Sequence, residues 1–430
     1  MKLAAIKEKI LNFARQGLVK ETSWLLIAKL FNVFVQAAYF IIVARVLGPE
    51  NYGSFIGITA LGSIVFPFVA WGTENVLIQK VAIKPSSFPT YWGNVLLILL
   101  VNGVILSLIC LVISPIFFGN QISLMSVALI ILADLICLGA IDFSTKALMS
   151  VYLAKKTSQL LIFTTCGKLI AALSLATFFE NPSIETWAIL YASSYVILSI
   201  LAILIVNRLI GFPKPQFSSI IATVKQGFFF SIGNSAHNIN ANLDKTMLAS
   251  MASLQATGIY GSAYRFIDVG NVPIISLFGA SYTRFFKYGE SGIHSTLKFA
   301  RKLLTPLLAY SIICFIGYHI FAPAIPFVLG EEYREAIAAL LWLSPLPPIF
   351  AFQLLAADTL TGAGYQRSRS TIQVGAAILN VGLNIWLIPL YSWKGAAWAT
   401  IISDTLRMIC LWAVVFWLAR QVAPVADVGD

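Results

Sequence analysis

Long apolar stretches recur along the chain from about residue 23 to residue 419, and short polar segments separate them. A bilayer hydrocarbon core about 30 Å thick is crossed by roughly 20 residues of helix. Stretches of that size predict twelve spans, near 23–47, 54–79, 92–118, 122–150, 158–179, 185–209, 226–250, 256–286, 302–328, 336–360, 370–390 and 396–419. The runs are continuously apolar and do not alternate with period two. They also exceed the roughly 10 residues of a barrel strand, so helices and not a β-barrel satisfy the backbone in lipid. The fold expected is an all-α polytopic membrane protein.

Composition agrees. The 430 residues are 59% hydrophobic and 11% charged, whereas a soluble domain carries about 25% charged residues. No stretch is polar enough and long enough for a separate soluble domain. The five cysteines, Cys110, Cys137, Cys166, Cys314 and Cys410, each sit in an apolar run without a Cys-x-x-Cys pair. Neither a metal cage nor a disulfide framework is signalled, and no metal or other cofactor is expected. The first apolar run is too long for a signal-peptide core and lacks a small-residue cleavage site.

Charge orients the spans. Twenty of the 29 basic residues fall in alternate loops, among them Lys80, Lys84, Lys155, Lys156, Arg208, Lys214, Arg284, Lys287, Arg367 and Arg420. The opposite loops hold only Arg334 and Lys394, with Glu50, Glu180, Glu185, Glu331, Glu332 and Glu335. The positive-inside rule then predicts that both termini are cytoplasmic, which needs an even number of spans. The net charge of +11 is explained by basic inner loops facing anionic lipid and calls for no nucleic acid.

The chain also resembles itself. Tyr52-Gly53-Ser54 after the first span recurs as Tyr260-Gly261-Ser262 after the seventh, an offset of 208. The basic turn Lys155-Lys156 returns as Arg367-Ser368-Arg369, about 211 further on. Two six-helix halves, parallel repeats about an axis along the membrane normal, are predicted. The expected organisation is a basic cytoplasmic segment 1–22, an N-terminal half 23–210, a cytoplasmic linker 211–225, a C-terminal half 226–419 and a cytoplasmic tail 420–430.

Intramembrane polar residues are the functional candidates, because charge in the bilayer core is costly unless paired or hydrated. Asp142 and Lys146, Asp404 and Arg407, and Arg265 and Asp268 stand three or four apart and are spaced to pair on one helix. Span seven carries Ser231, Asn234, Asn238, Asn242 and Lys245 on one stripe, flanked by His237 and Asp244. Span one carries Lys29, Asn32 and Gln36, with Tyr39 beside them. Lys29 lies 208 before His237 and Gln36 lies 208 before Asp244, so the stripes coincide under the repeat. The alternative to a hydrated stripe is a hydrogen-bonded seam between helices, and the same choice stands for Asn380 and Asn384. Two such stripes predict a central, partly cationic cavity enclosed by two pseudo-symmetric six-helix halves. Lys29, Lys245 and Arg265 suit phosphate or acidic sugar, and the amides suit hydroxyls. His237 and Asp244, seven apart, are candidates for ion coupling, with Asp358 a further one.

Three stretches carry a resemblance. Ala44-Arg45-Val46-Leu47-Gly48-Pro49-Glu50-Asn51-Tyr52-Gly53-Ser54-Phe55 resembles the opening motif of bacterial polysaccharide flippases. Asp244-Lys245 with Gly258-Ile259-Tyr260-Gly261-Ser262-Ala263-Tyr264-Arg265 resembles their seventh-to-eighth-span motif, and Trp393-Lys394-Gly395-Ala396-Ala397-Trp398-Ala399-Thr400 the entry to their last span. The wider group is the multidrug, oligosaccharidyl-lipid and polysaccharide exporters. The resemblance implies a non-enzymatic transporter in the bacterial inner membrane that turns polyprenyl-diphosphate-linked oligosaccharide to the outer leaflet for O-antigen or capsule. It implies alternating access with proposed ion coupling, a cationic lumen to which Arg45, Lys245 and Arg265 belong, and a polymerase and chain-length proteins as partners besides membrane lipid.

Two other classes compete. A drug/cation antiporter of the same superfamily would have a lumen richer in carboxylates and aromatics. A membrane glycan polymerase would show a large outer loop carrying Arg or His, and the loop around Glu331 and Glu332 is short. No Gly-x-x-x-x-Gly-Lys loop exists to bind ATP.

Overall fold

The computed structural model describes the backbone of residues 2–421. It describes side chains over residues 31–421 except 229, 230, 232–234, 236, 237 and 240. The side chains of Lys29, Asn234 and His237 therefore lie outside the described residues.

The described chain is all helix: α1 Lys2–Val65, α2 Thr73–Ile83, α3 Phe88–Phe118, α4 Leu124–Leu132, α5 Gly139–Ser150, α6 Ala154–Phe178, α7 Ile184–Leu209, α8 Phe217–Met251, α9 Leu254–Gly289, α10 Ile293–Phe321, α11 Ile325–Leu329, α12 Glu335–Leu343, α13 Leu346–Gly362, α14 Gln366–Tyr391 and α15 Trp393–Gln421. Among the described residues nine helical runs are long and apolar enough to cross a membrane. The twelve spans follow once α1 is divided at Gly48 and the long, more polar α8 and α9 are added. Gly48 (φ 68°, ψ 170°) is non-helical, a left-handed conformation that glycine adopts without steric cost, and Pro49 restarts the helix. The protein is a multi-pass α-helical membrane protein with two six-helix halves.

Several predicted spans are broken inside. The second ends at Val65, turns through Phe66–Phe68, and restarts at Thr73 after Trp71 (φ 50°) and Gly72 (φ 70°). The fourth is α4 and α5 joined by a π-helical turn, Ala133–Leu138. The tenth is α12 and α13, separated at Ser344-Pro345. Serine side chains accept from the first-turn amides of Ala256 in α9 and Thr186 in α7, at 3.1 and 3.3 Å, which satisfies donors the helix leaves free.

The packing divides the chain into two units: residues 1–47 with 58–238, and residues 48–57 with 239–430. The division falls inside α8 rather than in the 211–225 segment. The reason is local: Asn238 Nδ2 donates to Ser63 O at 2.9 Å, and Phe228 stacks on Trp71 at 5.6 Å, which tie the first part of α8 to the N-terminal unit. In that unit α7 packs on α4, α5 and α6, and α2 on α5. The connection after α7 is pinned to α3. Lys214 N donates to Pro89 O (2.8 Å), Gln216 N to Asn94 Oδ1 (2.8 Å), and Asn94 Nδ2 to Ser219 Oγ (2.9 Å).

In the C-terminal unit α13 is central and packs on α9, α10 and α15, with a core of Phe278, Phe285, Phe299, Leu307, Ala351 and Leu355. The 48–57 segment meets α9 at backbone distance. A β-carbon on Gly53 would stand 1.7 Å from Leu254 O, and one on Gly258 would stand 1.9 Å from Pro49 O. No other residue fits either place.

Candidate functional site

The charged residues of α8 and α9 form one group in the C-terminal unit. Asp244 and Lys245 are buried, at 2% and 9% exposure. Lys245 Nζ lies 3.4 Å from Asp244 Oδ1, donates to the Ala241 carbonyl, and sits 4.1 Å from the centre of the Tyr264 ring. Tyr260 donates its hydroxyl to Asp244 Oδ2 at 2.6 Å and lies 3.4 Å from Thr400 Oγ1. Arg265 reaches Asp268 at 3.9 Å and hydrogen-bonds the Tyr52 side chain. Asp404 pairs with Arg407 at 3.0 Å, and Arg407 also donates to Gln353 Oε1 at 2.6 Å. The structure thus brings Asp244, Lys245 and Arg265 together with Tyr260 and Tyr264.

Other expected residues go elsewhere. Asp358 pairs with Arg369 at 3.2 Å, tying α13 to the start of α14. This pair is separate from the Asp244 group. Asn238 is spent on the Ser63 carbonyl, so part of the span-seven stripe is a seam between helices. Asn242 is half-buried beside Lys245. Asn32 accepts from Thr165 Oγ1 at 2.6 Å, another helix–helix bond, while Gln36 and Arg45 are exposed. Asn380 donates to Ser403 Oγ at 2.9 Å, an α14–α15 seam, and Asn384 donates to Asn380 at 2.9 Å within α14. Lys146 pairs with Asp142 at 3.0 Å as its spacing predicts, and also reaches Glu74 at 3.4 Å.

The N-terminal unit holds a second group, whose charges Asp134 and Lys168 lie in the fourth and fifth predicted spans and whose tyrosines give no signal in a reading for charges and amides. Asp134, in the π-helical turn, is 5% exposed. Tyr191 donates its hydroxyl to Asp134 Oδ1 at 2.6 Å. Tyr195 lies one turn on, 4.4 Å from Tyr191 between ring centres, and Lys168 Nζ sits 4.8 Å over the Tyr195 ring. Tyr260 and Tyr264 are likewise four apart, with ring centres 5.5 Å apart. Each unit therefore carries an aspartate held by the first tyrosine of a Tyr-x-x-x-Tyr pair and a lysine held over the second. Among the described residues no cluster of His, Cys, Asp and Glu could hold a metal ion.

The family model described as "Polysaccharide biosynthesis protein" matches residues 18–289. An uncharacterized membrane protein of Methanocaldococcus jannaschii is 22% identical over 416 residues, covering 90% of this chain and 95% of that one. Among solved structures, an inward-facing multidrug resistance MATE family transporter of the MOP superfamily superposes with a TM-score of 0.73 at 15% identity, covering 94% of this chain and 99% of that one. The lipid II flippase MurJ, in an inward closed conformation, superposes with a TM-score of 0.71 at 13% identity, covering 91% and 87%. These likenesses show a shared fold. The chain belongs to the polysaccharide biosynthesis protein family and has the fold of the MOP superfamily transporters.

Proposed function

We propose that this protein is a flippase that moves polyprenyl-diphosphate-linked oligosaccharide across the cytoplasmic membrane for surface polysaccharide such as O-antigen or capsule. The observation that carries the reading is the family match over 18–289, which includes both tyrosine–aspartate–lysine groups. Intramembrane cations support it. Lys168, Lys245, Arg265 and Arg407 suit an anionic diphosphate better than a cationic drug, since opposite charge offsets the cost of leaving water. The protein sits in the cytoplasmic membrane with both termini inside, works by alternating access, and hands its product to a polymerase and chain-length proteins.

Purified protein in proteoliposomes tests this. The expected result is faster transbilayer movement of a fluorescent polyprenyl-diphosphate oligosaccharide than in empty vesicles. No acceleration of that lipid would overturn the proposal. A second reading, a drug/cation antiporter, is favoured by the likeness to the multidrug MATE fold. Exchange of a cationic dye without movement of the lipid would establish it instead.

A further inference from the structure

The two groups hold the same four side chains in different arrangements. In the C-terminal unit Lys245 leans over Tyr264 and still pairs with Asp244 at 3.4 Å. In the N-terminal unit Lys168 rests on Tyr195, and Asp134 forms no ion pair with any described residue. Its one hydrogen bond among the described residues comes from Tyr191. The other buried acids of the described spans, Glu74, Asp244 and Asp358, each have a cation partner. A buried carboxylate beside a lysine draws that lysine in, because the attraction grows as water is excluded. A lysine that stays on an aromatic face instead matches a neighbour without charge.

The geometry points to Asp134 as an exchangeable-proton site whose proton keeps the Lys168 ammonium available to a diphosphate-type anion. The proton forms an O–H bond on the Asp134 carboxyl. When it leaves for water, the electron pair stays on oxygen and Lys168 closes onto the carboxylate, giving up the anion. Tyr191 and Lys168 face the carboxyl from α7 and α6, Cys137 lies near it in the same turn, and Tyr195 and Tyr39 stand beyond Tyr191. Lys168 is the one cation among them. The π-helical turn fits this role, since such turns concentrate at functional sites. The anion half rests on the proposed function, whereas the proton half stands without it.

The test uses the full chain in lipid nanodiscs. Infrared difference spectra at neutral pH should show the carbonyl band of a protonated carboxylic acid, absent from Asp134→Asn and retained in Asp244→Asn. A band unchanged by Asp134→Asn overturns the proton site. Geranylgeranyl diphosphate is then added in weak buffer with a pH dye, at an alkaline pH where the Asp134 band has disappeared from the ligand-free protein. Net proton uptake is expected in the wild type and none in Asp134→Asn or Lys168→Met. Binding without uptake, or no binding at all, overturns the link to the anion. Inorganic diphosphate forms a second arm. Uptake with both probes supports recognition of the diphosphate itself, and uptake with the lipid alone supports recognition that also needs its tail. If the spectra and uptake behave as expected while no oligosaccharide lipid moves in proteoliposomes, the proposed function fails and the site stands.

Discussion

The Tyr260 hydroxyl lies 2.6 Å from Asp244 Oδ2 and donates to it. The remaining partners of Asp244 are its neighbour Lys245, through the backbone N–H at 2.8 Å and the ammonium at 3.4 Å. Tyr260→Phe keeps the ring packing and removes the one donor that reaches Asp244 from α9. A hydrogen bond to a charged group contributes about 1.5–3 kcal/mol, so the variant should melt earlier in detergent. A melting temperature equal to that of the wild type would show that Thr400 or water replaces the bond at no cost.

The family motif around Tyr52-Gly53-Ser54 reads structurally as a crossing. Gly53→Ala places a methyl 1.7 Å from Leu254 O, and Gly258→Ala one 1.9 Å from Pro49 O. Backbone cannot yield as a side chain can, so both variants should insert poorly or unfold early, as overpacked sites do. Gly279→Ala on the same α9 meets nothing within 4 Å and should be neutral or slightly stabilising. Fluorescence-detected size exclusion of the three variants compares them directly. Equal peaks for Gly53→Ala and Gly279→Ala would contradict the crossing.

How much was legible in the sequence follows from what each signal is. Apolar runs gave the spans, because in lipid length and hydropathy nearly suffice. The break after Val65 was lost because Trp71 and Gly72 sit within an apolar run that hydropathy cannot divide. Asp244 and Lys245 stood out as charges in a span. Their tyrosine partners did not, although Tyr191 with Tyr195 and Tyr260 with Tyr264 share the helical spacing of four. Tyrosine counts as apolar in a hydropathy scan, and only distances tell a packed ring from one whose hydroxyl holds a carboxylate. Asn32, Asn238 and Asn380 bond neighbouring helices, a use that a single-helix pattern cannot distinguish from a hydrated stripe.

The 211–216 connection is fixed by Asn94, which is fully buried and bonds both Gln216 N and Ser219 Oγ. Asn94→Ala removes both bonds and leaves the Gln216 amide without its acceptor. The expected loss is roughly 1–3 kcal/mol locally, seen as faster proteolytic nicking after Lys214 with little change in helix content. Nicking at the wild-type rate would mean that the Lys214–Pro89 bond holds the connection by itself.

Lys245 and Asp244 bear on how any loss of transport is interpreted. Their side chains are 11% and 3% exposed, so truncating one partner strands a charge in the unit and should cost roughly 3–5 kcal/mol. Lys245→Ala or Asp244→Ala alone would therefore lower protein yield and transport together, and the transport loss would say little about substrate. The double variant Asp244→Asn, Lys245→Met removes both charges and keeps similar volume. It should melt closer to the wild type than either single truncation, because no charge is left unpaired. If Lys245 serves the diphosphate, that double variant should fold well and still move lipid-linked oligosaccharide far more slowly in proteoliposomes. Restoring the cation alone, in Asp244→Asn, should recover part of the rate. A double variant that is both stable and fully active would assign the pair to holding α8 and α9 together, with no part in transport.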